Sequence, residues 1–304
     1  MISTQENLFQ STIHPGASMG AVQLTVSDLA RAVDFYRRVL GFQLHEQSDG
    51  QANLGAGRHT LLELVELPGA RHVTHHSGLY HFAVLTPTRV ALAKVLRSLV
   101  EHQIRIGGSD HLVSEALYLS DPDGNGIEVY RDRPRAEWQY EGNRIVMGGL
   151  PLDYQGILNE LNENGGASNG ALSNGSAWSG LEPETIIGHM HLHVNDLAAA
   201  TDFYTRIIGF DLMMEWNGAS FLAAGGYHHH LGVNTWAGVG APPQPADAAG
   251  LRHYVVQLPE QPALDQLVQR LDANGVAHEP RDNGLFTRDP AQNGILFSTG
   301  ENPD

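Results

Sequence analysis

An internal repeat constrains this chain more than its composition does. The segment Ser27–Phe42 (SDLARAVDFYRRVLGF) returns 168 positions later as Asn195–Phe210 (NDLAAATDFYTRIIGF). At the same offset Asp121–Glu128 (DPDGNGIE) returns as Asp289–Leu296 (DPAQNGIL). A duplicated sequence folds as duplicated units, so the repeat has to be read before any single motif. The copies are unequal. Seven places before the Asp of the first motif stands Ala21 in one copy and His189 in the other. The residue that closes the second motif is Glu128 in one and Leu296 in the other. One half has lost a histidine, and the other has lost a carboxylate.

Periodicity sorts each half into modules. Ala21–Val26 alternates as a strand, and Asp28 is placed to cap an amphipathic helix that ends before Gly41. Glu63–Leu67 reads as another strand. Leu79–Leu85 opens a second round, followed by a helix over Val90–His102. Strands at Ala116–Leu119 and Gly126–Tyr130 flank the Asp-Pro-Asp-Gly turn. The second half repeats the series, with strands near His189–Val194, His229–Asn234 and His253–Leu258 and helices over Leu197–Ile208 and Pro262–Asn274. The expected organisation is a polar leader (1–17), a first domain (18–133), a linker (134–184) and a second domain (185–304). Each domain holds two βαβββ modules. The stretch Asn162–Gly180, rich in Gly, Asn and Ser, reads as flexible or loosely draped.

Composition excludes some roles. At 304 residues, with 41% hydrophobic and 17% charged residues, there is room for two globular domains. A formal charge of −16 argues against nucleic-acid partners, which need clustered Lys and Arg. With no cysteine, disulfides and thiolate metal ligands are impossible. The first residues lack the basic start and apolar core of a signal peptide, and no apolar run approaches the length of a membrane span. A cytoplasmic protein is the expectation.

The motifs carry a family resemblance. A strand followed by DL, then DFY, then GF, with DPDGNGIE ending in an acidic residue, resembles the vicinal oxygen chelate superfamily. That superfamily includes glyoxalases, fosfomycin-resistance proteins and extradiol ring-cleaving dioxygenases. LYHF, SEALYLSDPDGNGIE, GHMHLHV and GGYHHHLG together resemble its two-domain bacterial extradiol dioxygenases. The resemblance implies an α+β fold in which four βαβββ modules form two cupped eight-stranded mixed sheets. It also implies a metal inside a cup, with His81, Glu128 and His189 at the ligand positions. Two imidazoles and one carboxylate leave three open positions on an octahedral metal, the set used by Fe(II) oxygenases, with Mn(II) the alternative.

Two pairings of the modules are open. If each half closed its own cup, His81 and Glu128 would face Ala21, and His189 and His253 would face Leu296; neither set is complete. If the second module pairs with the third, His81, Glu128 and His189 converge and His253 is stranded. We expect the second arrangement.

By the same resemblance His229 stands where a general acid-base histidine belongs, although an error of one residue would exchange it with His228 or His230. Tyr118 matches a tyrosine that hydrogen-bonds substrate, and His111 resembles a further histidine near it, on a shorter spacing than usual. His191, His230 and Asn234 are expected to line the pocket, whereas His45, His59, His72, His75 and His76 read as surface. The implied activity is extradiol cleavage of catechol or a related diol by O2, with homo-oligomerisation possible. A glyoxalase-like lyase or isomerase is the alternative, but it would need a second carboxylate ligand, and no acidic residue lies between Phe221 and Trp236. A non-catalytic binding protein of the superfamily is the third possibility.

Overall fold

The structure, a computed structural model, describes residues 12–142, 144–163 and 178–300. Most of the stretch expected to be draped, 164–177, lies outside the described residues.

Four modules follow one another. The first is β1 (Ser18–Val26), α1 (Leu29–Arg38), β2 (Gln43–Ser48), β3 (Gln51–Ala56) and β4 (His59–Glu66). The second is β5 (Gly78–Leu85), α2 (Arg89–Glu101), β6 (Gly107–Asp110), β7 (Ser114–Ser120) and β8 (Gly126–Asp132). A connecting hairpin, β9 (Tyr140–Glu141) and β10 (Arg144–Ile145), and helix α3 (Tyr154–Glu163) lead to the other half. The third module is β11 (Ile186–His193), α4 (Leu197–Asp202), β12 (Asp211–Trp216), β13 (Ala219–Ala223) and β14 (Leu231–Asn234). The fourth is β15 (Gly250–Gln257), α5 (Gln261–Ala273), β16 (His278–Arg281), β17 (Gly284–Arg288) and β18 (Gly294–Ser298).

Both motif helices start for the same reason. The Asp28 carboxylate accepts from the Arg31 N–H at 2.9 Å, and Asp196 accepts from Ala199 N–H at 3.0 Å. Such caps contribute about 1 kcal/mol each. Leu29, Ala32, Val33 and Tyr36 recur at helical spacing and bury one face of α1. In the second copy the helix loosens after Asp202 into a π turn over Phe203–Ile208, so the single helix expected over Leu197–Ile208 is two segments. Gly41 and Gly209 then take positive φ, which lets the chain reverse into the next strand.

The sheets cross the halves of the sequence. One has the order β16-β17-β18-β15-β1-β4-β3-β2, joining the first and fourth modules. The other runs β12-β13-β14-β11-β5-β8-β7-β6, joining the second and third. This is the expected cross-half pairing, so the ranges 18–133 and 185–304 are repeats in sequence and not the units in which strands pair. At each centre the opening strands meet antiparallel, β1 with β15 and β5 with β11.

The repeated motifs hold the two sheets to one another. The Tyr36 hydroxyl on α1 donates to Asp121 Oδ2 at 2.9 Å, and Tyr204 donates to Asp289 at the same distance. Each aspartate also folds its own turn, accepting from the backbone N–H and the side chain of Asn125 or Asn293. Burial pushes the Asp121 and Asp289 carboxyls up from the usual range, and these donors oppose the shift. DFY and DP-x-x-NG are therefore two halves of one structural clasp.

Within the segment 134–184, described residues pack against the sheets and helices. Trp138 and Ile145, on either side of β9, are buried with Val113, Met213 and Ala223 and cover the end of the second sheet. Helix α3 is tied to α2 through Arg89, which bonds Gly156 O and Glu160. Among the described residues no helix is long and apolar enough to cross a membrane.

Candidate metal centre

Register brings the three expected ligands together. On β5, His81 and Ala83 face the inside of the cup, two residues apart on one face. Ala83 is paired with His189 on β11 to one side and with Glu128 on β8 to the other. Glu128, Ala83 and His189 thus form a row across three strands, with His81 beside it. The methyl of Ala83 leaves the space in which the three longer side chains meet.

They meet closely. Nε2 of His189 lies 3.1 Å from Glu128 Oε2, and Nε2 of His81 lies 3.1 Å from the same oxygen. None of the three residues is more than 5% exposed. The candidate ligand atoms all lie within 4.8 Å of one another. Metal–ligand bonds of about 2.1 Å at right angles would separate adjacent donors by about 3 Å, so the spacing suits one ion. Despite its proximity to the carboxylate, Nε2 of His81 has no hydrogen-bond partner, and Nδ1 of His189 and Nε2 of His191 are also buried without one. An unpaired buried nitrogen is costly unless a ligand satisfies it. The donor set fits a first-row divalent ion.

Electrostatics agree. Burial alone would raise the Glu128 carboxyl, but His189 and His81 outweigh it and hold it well below the ordinary carboxylate range. Burial pushes His81 down, opposed by Glu128. It pushes His191 and His229 down further, with neighbouring imidazoles adding to the effect. These directions favour an ionised Glu128 and a neutral His81, the protonation states that coordination requires of them.

The remaining expected residues fall into groups. His229, in the turn before β14, lies tilted against His189 with ring centroids 4.1 Å apart. Tyr118 stands opposite Glu128 in the β7–β8 ladder, and its hydroxyl is 2.6 Å from His111 Nε2, so the short spacing still brings these two together. Burial, then the charge of Glu128, pushes the Tyr118 hydroxyl well above its ordinary value. His191 packs between His81 and Phe221.

The other expected residues lie around this cluster. His230 does not join the cluster: its Nδ1 accepts from Ala224 N–H and its ring lies against Tyr227 and Phe210, because residues alternate in facing along this segment. Asn234 is occupied as a brace, its Oδ1 engaged by His193 Nδ1 and accepting from Trp236 N–H. His72 and His75 are exposed and His76 is half-buried, as read from the sequence, on a loop that helps to wall a cavity of about 980 Å³. That cavity reaches His81 and Tyr118 and is also lined by Tyr80 and Trp236.

Sequence reasoning passed over Phe221, Tyr130 and Asp132, and named His228 only as a residue that could exchange with His229. Phe221 had a signal. It pairs with Gly232, which in turn pairs with His191, and a Cβ on Gly232 would sit 2.8 Å from the His191 ring. A glycine inside a strand marks such an approach.

Among the described residues the other cup lacks this ligand set. At the positions equivalent to His189, Glu128 and Tyr118 it carries Ala21, Leu296 and Phe286. His253 is 8% exposed, and burial together with Arg281, Arg252 and Arg288 pushes its imidazole down to about 4.

These features coincide with relatedness. Residues 18–129 and 186–296 each match the Glyoxalase/Bleomycin resistance protein/Dioxygenase superfamily, and the chain belongs to that superfamily. It is 45% identical over 293 residues to the catechol-2,3-dioxygenase of Bacillus subtilis (strain 168), covering 94% of this chain and 98% of that one. Its fold resembles a putative dioxygenase of Bacillus subtilis (TM-score 0.58, 13% identity, covering 92% of this chain and 85% of that one). It also resembles glyoxalase I from Zea mays (TM-score 0.54, 14% identity, covering 93% of this chain and 92% of that one).

Proposed function

We propose that this protein is an extradiol ring-cleaving dioxygenase that combines catechol or a related aromatic diol with O2 to give a muconic semialdehyde. The observation that carries the reading is the buried His81–Glu128–His189 cluster, whose 3.1 Å spacings and unpaired nitrogen suit a single ion. Its identity to a catechol-2,3-dioxygenase over nearly the whole chain supports the same substrate class. His81, Glu128 and His189 would hold Fe(II), with Mn(II) the alternative for this ligand set. When bound, the ion supplies a template on which diol and O2 are held together and charge passes between them.

The chain's own groups supply the rest. A catechol must lose a proton as it chelates, and His229, neutral in its buried position, accepts it and returns it to a later intermediate. The Tyr118 hydroxyl keeps its proton and donates a hydrogen bond to a substrate oxygen, with His111 orienting it. His191 and Phe221 wall the cup beside His229 and exclude water. The missing second carboxylate weighs against a glyoxalase-like reaction. We place the enzyme in the cytoplasm, acting without nucleic acid or membrane, and an assembly of several copies is compatible with this reading.

Anaerobic loading with Fe(II), followed by catechol and air, tests the proposal. A yellow ring-fission product that forms in the wild type and is lost in Glu128→Ala supports it. Stoichiometric bound metal with no turnover of any diol, alongside isomerisation of a thiol-adduct substrate, would move the assignment to the glyoxalase class.

A further inference from the structure

The turn that carries His229 is braced from behind by a chain of hydrogen bonds. The Tyr227 hydroxyl donates to Asp132 Oδ2 at 2.9 Å. Tyr130 and Tyr227 hydroxyls are 2.8 Å apart, and since Tyr227 has given its proton to Asp132, Tyr130 is the donor. The other oxygen of Asp132 lies 2.9 Å from Nε2 of His228, whose side chain is fully buried. Nδ1 of His228 lies 2.8 Å from Nδ1 of His229.

With Asp132 ionised and His228 neutral, proton counting along this chain gives one answer. A carboxylate has only lone pairs to offer, so the hydrogen between Asp132 and His228 sits on His228 Nε2. A neutral imidazole carries one ring hydrogen, so His228 Nδ1 presents a lone pair. A 2.8 Å contact between two ring nitrogens needs one hydrogen between them, and it must come from His229 Nδ1. That leaves Nε2 of His229 unprotonated, on a ring that lies against His189 and Phe221.

We propose that Asp132 and His228 are positioning residues which hold His229 as its Nδ1–H tautomer and so present its Nε2 lone pair to the diol. The catalytic part of this inference rests on the acid-base role given to His229 above. In the proton step the diol O–H bond breaks and an N–H bond forms at His229 Nε2. The positive charge is then compensated through Nδ1–H, His228 and the Asp132 carboxylate. The same proton later returns from Nε2 to an oxygen of the intermediate, so the enzyme is unchanged. A histidine with the opposite tautomer would offer N–H where a base is needed.

The test reads the tautomer directly. Long-range 1H–15N spectra of the Zn(II)-loaded chain at neutral pH should show His229 with a protonated Nδ1 and a bare Nε2, and His228 with the reverse. Asp132→Asn should mix or reverse these patterns. In the Fe(II) enzyme it should lower kcat for catechol by about 10- to 100-fold, a fraction of what general-base catalysis contributes. KM and bound metal should stay within about twofold of the wild type, because no ligand is touched. Tyr227→Phe, which leaves the Asp132–His228 bond in place, should keep the wild-type tautomer. A wild-type His229 protonated at Nε2 overturns the proposal without any variant having to fold. An unchanged tautomer and kcat in Asp132→Asn overturn it as well. If the tautomer is as stated but His229→Ala leaves kcat intact, the acid-base role is what fails.

Discussion

His191 and His81 stand directly opposite one another across the β5–β11 ladder, with ring centroids 5.0 Å apart. They come from different halves of the duplication. The seam between the halves therefore runs through the candidate metal centre, and the ligand set is built from both sides of it.

Cross-half ligation can be separated from ligation within either half. Glu128→Ala, His81→Ala and His189→Ala should each weaken metal binding by at least about 100-fold, since even supporting residues around a metal cost about 10–100-fold. His253→Ala should leave binding and stoichiometry unchanged. Calorimetric titration of the metal-free chain with Co(II) reads both results. A loss of metal in His253→Ala with retention in His81→Ala would place the ion in the other cup.

Ala83 bears on the same centre without offering it a ligand. Valine there adds two methyl groups beneath the point where Glu128 and His189 converge. Ala83→Val should cost about 1–3 kcal/mol in overpacking. It should weaken metal binding at least tenfold while the far-ultraviolet dichroism stays native. Equal affinity in the variant would mean that the three side chains do not meet over this position.

The clasps offer a paired stability experiment. Tyr36→Phe removes one buried hydrogen bond to Asp121 and should destabilise the chain by about 1–3 kcal/mol in urea unfolding. Tyr204→Phe should cost more, because the Tyr254 hydroxyl, which donates to Tyr204, then also loses its acceptor. The reverse ranking would show that the Tyr254 bond to Tyr204 adds nothing to that clasp.

Acid stability should report on His253. Its imidazole sits at about 4 in the folded chain against an ordinary 6.5. Between those values the unfolded chain binds a proton that the folded chain refuses, so stability falls as pH drops from 6.5 towards 4 and this contribution then levels off. The full effect is at most about 3 kcal/mol. Replacing it in His253→Leu should flatten that part of the profile, measured by denaturant unfolding across the window. A parallel profile would mean that the histidine is already protonated when folded.

Much of this was legible because the duplication preserved what the fold needs. Tyr36, Asp121, Tyr204 and Asp289 recur at a fixed offset, and the structure shows the clasp that retains them. Glu128 and His189 were legible for the opposite reason, as places where the copies disagree, whereas His81 was legible through the family resemblance. The link between Asp132 and His228 was not legible. Their pairing depends on the end of β8 reaching the turn before β14, a strand-to-strand relation that no local pattern encodes. His230 was misplaced by the same ambiguity, since one position along an extended segment exchanges its faces. Trp138 and Ile145 hid within a stretch whose polar surroundings read as connection.

The crossed sheets also impose an order on synthesis. Gln23 pairs with His253, and His81 pairs with His191, so each sheet has its central partner in the far half of the chain. While the ribosome is still making the third module, β1 and β5 have no central partner and offer open edges. Contacts this remote in sequence are slow to close, and unpaired edges recruit other chains. A nascent polypeptide of this design carries those open edges until its far half emerges, and its candidate metal centre cannot assemble before β11 brings His189 to β5.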